Sequence, residues 1–153
     1  MSSRRAVREL LMCLIYQMSV TDNWSDEDKE GFLADAANGD VNEAGYIDDA
    51  GRQYFEIVIG AVRDNLEEID GVISDASDNW RIGRISKVDL SIIRLAVSEM
   101  MYIPDIPPAV SINEAVDLAK RYGSDKSYEF VNGVLGRVAR NIPTNSMTES
   151  GSD

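Results

Sequence analysis

Three features of the sequence predict an all-α fold. Apolar residues recur at three- and four-residue spacing through most of the chain, while the strict alternation of a half-buried strand is nowhere sustained. Hydroxyl residues suited to helix caps precede several of these stripes, and glycine or proline follows them. With 153 residues and 44% of them apolar, the chain suits one domain with a single core. No run approaches the ~18 apolar residues of a membrane span.

The first predicted helix covers 4–18, where Val7, Leu10, Leu11, Leu14 and Met18 form an inward stripe. Arg5, Arg8, Met12 and Tyr16 fall on its other side. The three arginines Arg4, Arg5 and Arg8 oppose the macrodipole at a helix amino terminus, so their presence needs another reason. They precede an apolar run in the manner of a signal peptide, but Glu9 interrupts it and no small-residue cleavage site follows, so a cytoplasmic helix is expected.

Residues 19–45 read as a polar connection. Within it Ser25 and Asp28 cap a short helix through Ala37 that carries Phe32, Leu33 and Ala36, and Asn38-Gly39-Asp40 breaks it. Trp24 is expected to cover core. From 47 to 74, Tyr54, Phe55, Val58, Ile59, Val62, Leu66, Ile69 and Ile73 repeat at helical intervals, either as one rod or as two helices bent near Asn65 or Gly71.

Trp80-Arg81-Ile82-Gly83-Arg84-Ile85 is a joint with a tryptophan anchor. A helix from Ser86 or Lys87 to Tyr102 follows, with Arg94 and Glu99 expected to pair structurally across the bundle. Pro104, Pro107 and Pro108 separate it from the next helix. That helix is predicted over 111–122, opened by a Ser111–Glu114 capping box and closed by Gly123 in the left-handed conformation. The last helix starts near Ser124 or Asp125 and buries Val131, Val134, Leu135, Val138 and Ile142, with Gly133 and Gly136 admitting a close neighbour. Phe130 lies at the edge of this stripe, as core rim or as a stacking surface. Asn113 and Asn132, polar within apolar motifs, are expected to be buried and bonded to backbone. The domain is therefore 1–142, and 143–153 is a small polar tail.

The chain has no histidine, which removes His-based triads, His-ligated metals and Cys-His nucleophiles; the lone Cys13 excludes an intramolecular disulfide. No phosphate-cradling glycine loop, calcium-loop spacing or convincing carboxylate constellation is present, so no enzyme, metal or cofactor is expected. The formal charge of −12 is uneven: 1–21 holds three Arg against Glu9 (+2), 22–78 holds three basic residues against 17 acidic (−14), and 79–142 holds nine against seven (+2). Any nucleic-acid surface must come from the two ends of the chain, with modest and salt-sensitive affinity.

The ordered set Val110-Ser111-Ile112-Asn113-Glu114-Ala115-Val116, Leu118-Ala119-Lys120 and Phe130-Val131-Asn132-Gly133-Val134-Leu135 resembles the carboxy-terminal hallmark of the bacterial NusB transcription antitermination family. The run from Arg4 to Gln17 is similar to the family's amino-terminal helix, with Val7 and Ile15 in place of more usual Ala and Leu, and Asp89, Ile93, Arg94 and Glu99 also fit. The resemblance spans roughly 4–140. It implies a compact fold of about seven helices in two packed sub-bundles. It also implies binding of boxA RNA on nascent ribosomal transcripts with the ribosomal protein NusE, within an antitermination complex on RNA polymerase.

On that reading the RNA surface lies where the first helix meets the 124–130 joint. Its candidate residues are Arg4, Arg5, Arg8, Tyr16, Lys120, Lys126, Ser127 and Phe130, because guanidinium and ammonium groups grip phosphate and aromatic rings offer stacking planes. A helical protein-binding module that does not touch RNA is the competing reading, since −12 is a poor charge for an RNA binder acting alone. Oligomeric state is left open, including a homodimer that would hide the RNA face.

Overall fold

The computed structural model describes residues 3–37, 47–77 and 82–142. Among them, seven α-helices and one 3₁₀ turn form: α1 (Arg4–Thr21), α2 (Asp26–Ala37), α3 (Asp49–Asp64), α4 (Leu66–Ala76), the turn Ile82–Arg84, α5 (Lys87–Tyr102), α6 (Pro108–Tyr122) and α7 (Ser127–Asn141). The 143–153 tail, the 38–40 break and the Trp80 anchor lie outside the described residues.

Every residue of α5 from Asp89 to Met100 is buried, the signature of a helix enclosed on all sides. It packs against α1, α3, α4, α6 and α7. Around it, α1, α2 and α3 form one packed group and α4, α6 and α7 another. Leu10, Leu11, Leu14, Ile15 and Met18 of α1 are fully buried, and each such side chain contributes about 1.5–3 kcal/mol. Phe32 of α2 stacks on Phe55 of α3 with ring centres 6.3 Å apart, which seats α2 on the core. Trp24 is half-buried against the same core.

Local chemistry explains most of the boundaries. Ser3 caps α1 by accepting the Ala6 amide at 3.0 Å, Ser25 accepts the Asp28 amide at 3.1 Å, and Ser86 accepts the Asp89 amide at 3.1 Å. Asn65 breaks the long apolar pattern into α3 and α4, and its side-chain amide donates to the Ala61 carbonyl at 2.9 Å.

Several expectations are corrected. Helix α6 starts at Pro108, with Pro107 as its cap: proline at the first helical position loses an amide that had no partner anyway, so the prolines open the helix. Ser111 is consequently buried inside α6, where its hydroxyl donates to Glu99 Oε1 at 2.8 Å. Gly123 is extended (φ −90°, ψ −172°), and its requirement is steric: a Cβ there would stand 2.5 Å from Ser127 Cβ and Oγ. No neighbour approaches Gly133, and the nearest group to a Cβ on Gly136 is the end of Arg140 at 3.7 Å, so neither marks a helix crossing. Asn113 and Asn132 are exposed. Arg94 and Glu99 share α5 and do not pair; Arg94 binds Asp70 of α4 at 2.8 and 2.9 Å and Ser19 of α1 at 2.7 Å. The last helix starts at Ser127, after a turn at 125–126.

Candidate nucleic-acid interface

The first turns of α1 set the three arginines against three different partners, which answers the macrodipole objection. The Arg4 guanidinium carbon lies 3.9 Å from the centre of the Tyr54 ring on α3. Arg5 reaches α6 and holds Glu114 through two parallel bonds of 3.1 Å, yet keeps 59% of its side chain exposed. Arg8, only 5% exposed, donates from Nε to Glu99 Oε2 at 2.8 Å.

Glu99 is the point where four helices meet. Besides Arg8 of α1 it accepts the Ser111 hydroxyl of α6 and the Tyr54 phenol of α3, so a carboxylate only 1% exposed has three donors. Such a charge is tolerated in the interior because its partners surround it. Burial, reinforced by the Glu99 charge, pushes the Tyr54 phenol up, which keeps it a donor. The hydrogen bond from Arg5 holds the Glu114 carboxyl below its ordinary range, against a smaller opposing effect of burial.

Farther along, Arg121 of α6 binds Glu9 of α1, and its guanidinium sits 5.1 Å from the Tyr122 ring centre. Tyr16, 42% exposed, and Tyr122 then line an apolar cleft with Met12, Cys13, Val88 and Ser91. The pairs 5–114 and 9–121 bridge α1 and α6, and Tyr16 and Tyr122 share one cleft, so the two helices contribute to one band of surface. Cations on it alternate with acids: Lys126 has Glu129 at 3.8 Å, and Arg121 has Asp117 at 3.7 Å. Lys120 Nζ lies 5.3 Å from the Tyr128 ring centre.

The band ends at the α6–α7 junction. Close approach of Gly123 to Ser127, and the bond from the Ser124 amide to Ser127 Oγ at 2.9 Å, fold the chain back sharply. This sets Ser124, Lys126 and Phe130 beside the start of α5, where Arg84, Ile85, Ser86 and Asp89 complete a cleft of about 340 Å³. Among the described residues, no three His, Cys, Asp or Glu side chains gather as a metal site, and no helix is long and apolar enough to cross a membrane.

The sequence profile of the NusB family matches residues 5–140. The chain belongs to the NusB family. A transcription antitermination protein NusB from Natranaerobius thermophilus is 45% identical over 141 residues, spanning 92% of this chain and 96% of that one. A solved T. maritima NusB structure has a TM-score of 0.80 at 32% identity, covering 97% of this chain and 98% of the other. A crystal structure of the antitermination factors NusB and NusE in complex with dsRNA has a TM-score of 0.75 over 91% of this chain and 97% of that one. Its 24% identity carries the fold alone.

In this NusB-family protein Arg5 and Tyr16 lie on the α1 side of the band, Lys120 stands beside Tyr128, Lys126 and Phe130 line the terminal cleft, and Arg4 turns instead to Tyr54 of α3. The other two candidates are held inward. Arg8 was expected beside Met12 on an outer face, but residues 7 to 12 of α1 are buried without a break, and its guanidinium is held by Glu99. Ser127 is buried, with its hydroxyl fixing the junction, and it still lines the terminal cleft. Phe130 proves to be both core rim and cleft wall. Sequence reasoning missed Arg84 and the placement of Asp89, because a cleft between the start of α5 and the start of α7 has no periodicity to betray it, and it missed Tyr122 and Tyr128, which line other clefts.

Proposed function

We propose that this protein binds boxA RNA of nascent ribosomal transcripts together with NusE, and so helps assemble an antitermination complex on RNA polymerase. The carrying observation is the α1–α6 band. It offers exposed Arg5, Lys120 and Lys126, aromatic Tyr16 and Tyr122, and a terminal cleft walled by Phe130, the mix of cation and ring that single-stranded RNA recognition uses. Support comes from the named function of the relatives and from the fold shared with a NusB–NusE–dsRNA complex. The protein acts as a cytoplasmic binding factor, not as a catalyst.

Interleaved acids limit what the band achieves alone. Glu114, Glu9 and Asp117 already engage its arginines, so a phosphate contact at either arginine displaces an internal pair. A basic partner docking beside the band adds phosphate contacts and shields those acids. RNA and NusE are therefore expected to bind with positive coupling of about 1–3 kcal/mol, equal in both directions. Mobility-shift titrations of boxA RNA, without and with NusE at matched salt, test this. A dissociation constant that falls about tenfold or more when NusE is present supports the adapter role. Identical constants contradict it, and NusE binding with no RNA binding assigns the protein to protein-protein contacts alone.

A further inference from the structure

Arg5 and Glu114 link α1 to α6 at the surface. Two parallel bonds of 3.1 Å fill the planar fork of a guanidinium whose side chain is 59% exposed. A carboxylate placed this way offers the fork two oxygens, as a phosphate group would. The two helices are already joined in the interior, where Arg8 of α1 and Ser111 of α6 both donate to Glu99 of α5, so the surface link is not what holds them together. Glu114 also has a second cation in reach, since Arg8 Nη1 lies 3.9 Å from its Oε1. When Arg5 turns away, Glu114 is left beside a buried positive charge. The neighbouring pair differs: Glu9 is 10% exposed and Arg121 is its ion-pair partner among the described residues, so releasing Arg121 leaves a buried carboxylate without a cation.

We propose that Glu114 is an internal competitor for phosphate at Arg5. It fills the Arg5 fork in the free protein, passes to Arg8 when an RNA phosphate takes its place, and so restrains the affinity of the band for nucleic acid. This rests on the RNA-binding reading above and adds to it a built-in restraint at one cation. The exchange is favoured by exposure on one side and by a waiting partner on the other: Arg5 reaches solvent with most of its side chain, and Arg8 stays fixed by Glu99 throughout.

The test is a double-mutant cycle read by fluorescence anisotropy with labelled boxA RNA, using the full chain with NusE present at about 0.15 M salt, where distant charges are screened. Glu114→Gln keeps the size of the side chain and removes its charge, and is expected to tighten binding about three- to fivefold. Arg5→Gln is expected to weaken binding. Adding Glu114→Gln to Arg5→Gln is expected to gain less than about twofold, because the fork that Glu114 blocked is gone. Unchanged affinity in Glu114→Gln, or an equal gain with and without Arg5, overturns the proposal while leaving RNA binding intact. A second readout needs no substitution: in nitrogen-labelled protein the Arg5 Nε–H signal is expected to shift on addition of RNA, and the Arg8 Nε–H signal, bonded to Glu99, to shift less. An unmoved Arg5 signal beside saturable RNA binding overturns the proposal alone. Absence of RNA binding by the unsubstituted protein, with or without NusE, overturns both readings.

Discussion

Glu99 and Asp89 are buried carboxylates on one helix, treated in opposite ways. Glu99 has Arg8, Tyr54 and Ser111 around it and joins α1, α3, α5 and α6. Asp89 has an oxygen with no hydrogen-bond partner among the described residues, and it lines a cleft. Burial alone therefore does not tell how a carboxylate is held; the count of donors does. The same distinction separates Arg8, bound inward to Glu99, from Arg5, whose guanidinium pairs with Glu114 while most of its side chain stays exposed.

Breaking the satisfied carboxylate should have the largest effect. Glu99→Ala leaves the Arg8 charge buried without its partner, and a loss of about 3–5 kcal/mol is expected in urea denaturation. Next comes the junction that builds the cleft. Gly123→Ala forces a Cβ to within 2.5 Å of Ser127, backed by the Ala119 carbonyl at 2.8 Å, and should cost about 1–3 kcal/mol in the same assay. Asp89→Asn should change stability by less than about 1 kcal/mol, because no internal bond to Oδ1 is lost. A cost as large as that of Glu99→Ala would erase the contrast between the two acids.

The smallest effect concerns pH. Glu114 has a folded-state pKa below the ordinary value of 4.5, so its contribution is present above that value and is lost as pH falls through the lower folded pKa. Denaturation at about pH 7 and about pH 3.5 should show Glu114→Gln losing less stability on acidification than the unsubstituted protein. Equal losses would mean that the Arg5–Glu114 pair does not couple to folding.

The fold was legible because its signals are local. Stripes such as Leu10, Leu11, Leu14 and Met18, and the caps Ser25 and Ser86, depend on neighbours within one or two turns. Errors came where tertiary contacts decide. Ser111 looks like a cap in sequence, but Pro107 and Pro108 start the helix earlier and Glu99 claims its hydroxyl. Arg8 looks exposed on a helical wheel drawn for one buried face, whereas that part of α1 is enclosed nearly all round. The candidate band was readable only as basic and aromatic residues near the two ends of the chain. The cleft was not, since Asp89 meets Phe130 only after the Gly123 junction has folded α7 back toward α5.

The most direct test of the account is charge reversal on the band compared with charge reversal elsewhere. Lys126→Glu alters the band's terminal cleft, while Arg52→Glu alters the ion-pair lattice between α2 and α3, where Arg52 holds Glu30 at 3.0 Å and Glu56 at 3.3 Å. Affinity for boxA RNA in the presence of NusE should fall about tenfold for Lys126→Glu, with a salt dependence shallower by about one counterion. Arg52→Glu should leave both unchanged. Equal losses from the two variants, or no loss from Lys126→Glu, would contradict the assignment of the band as the RNA-binding surface.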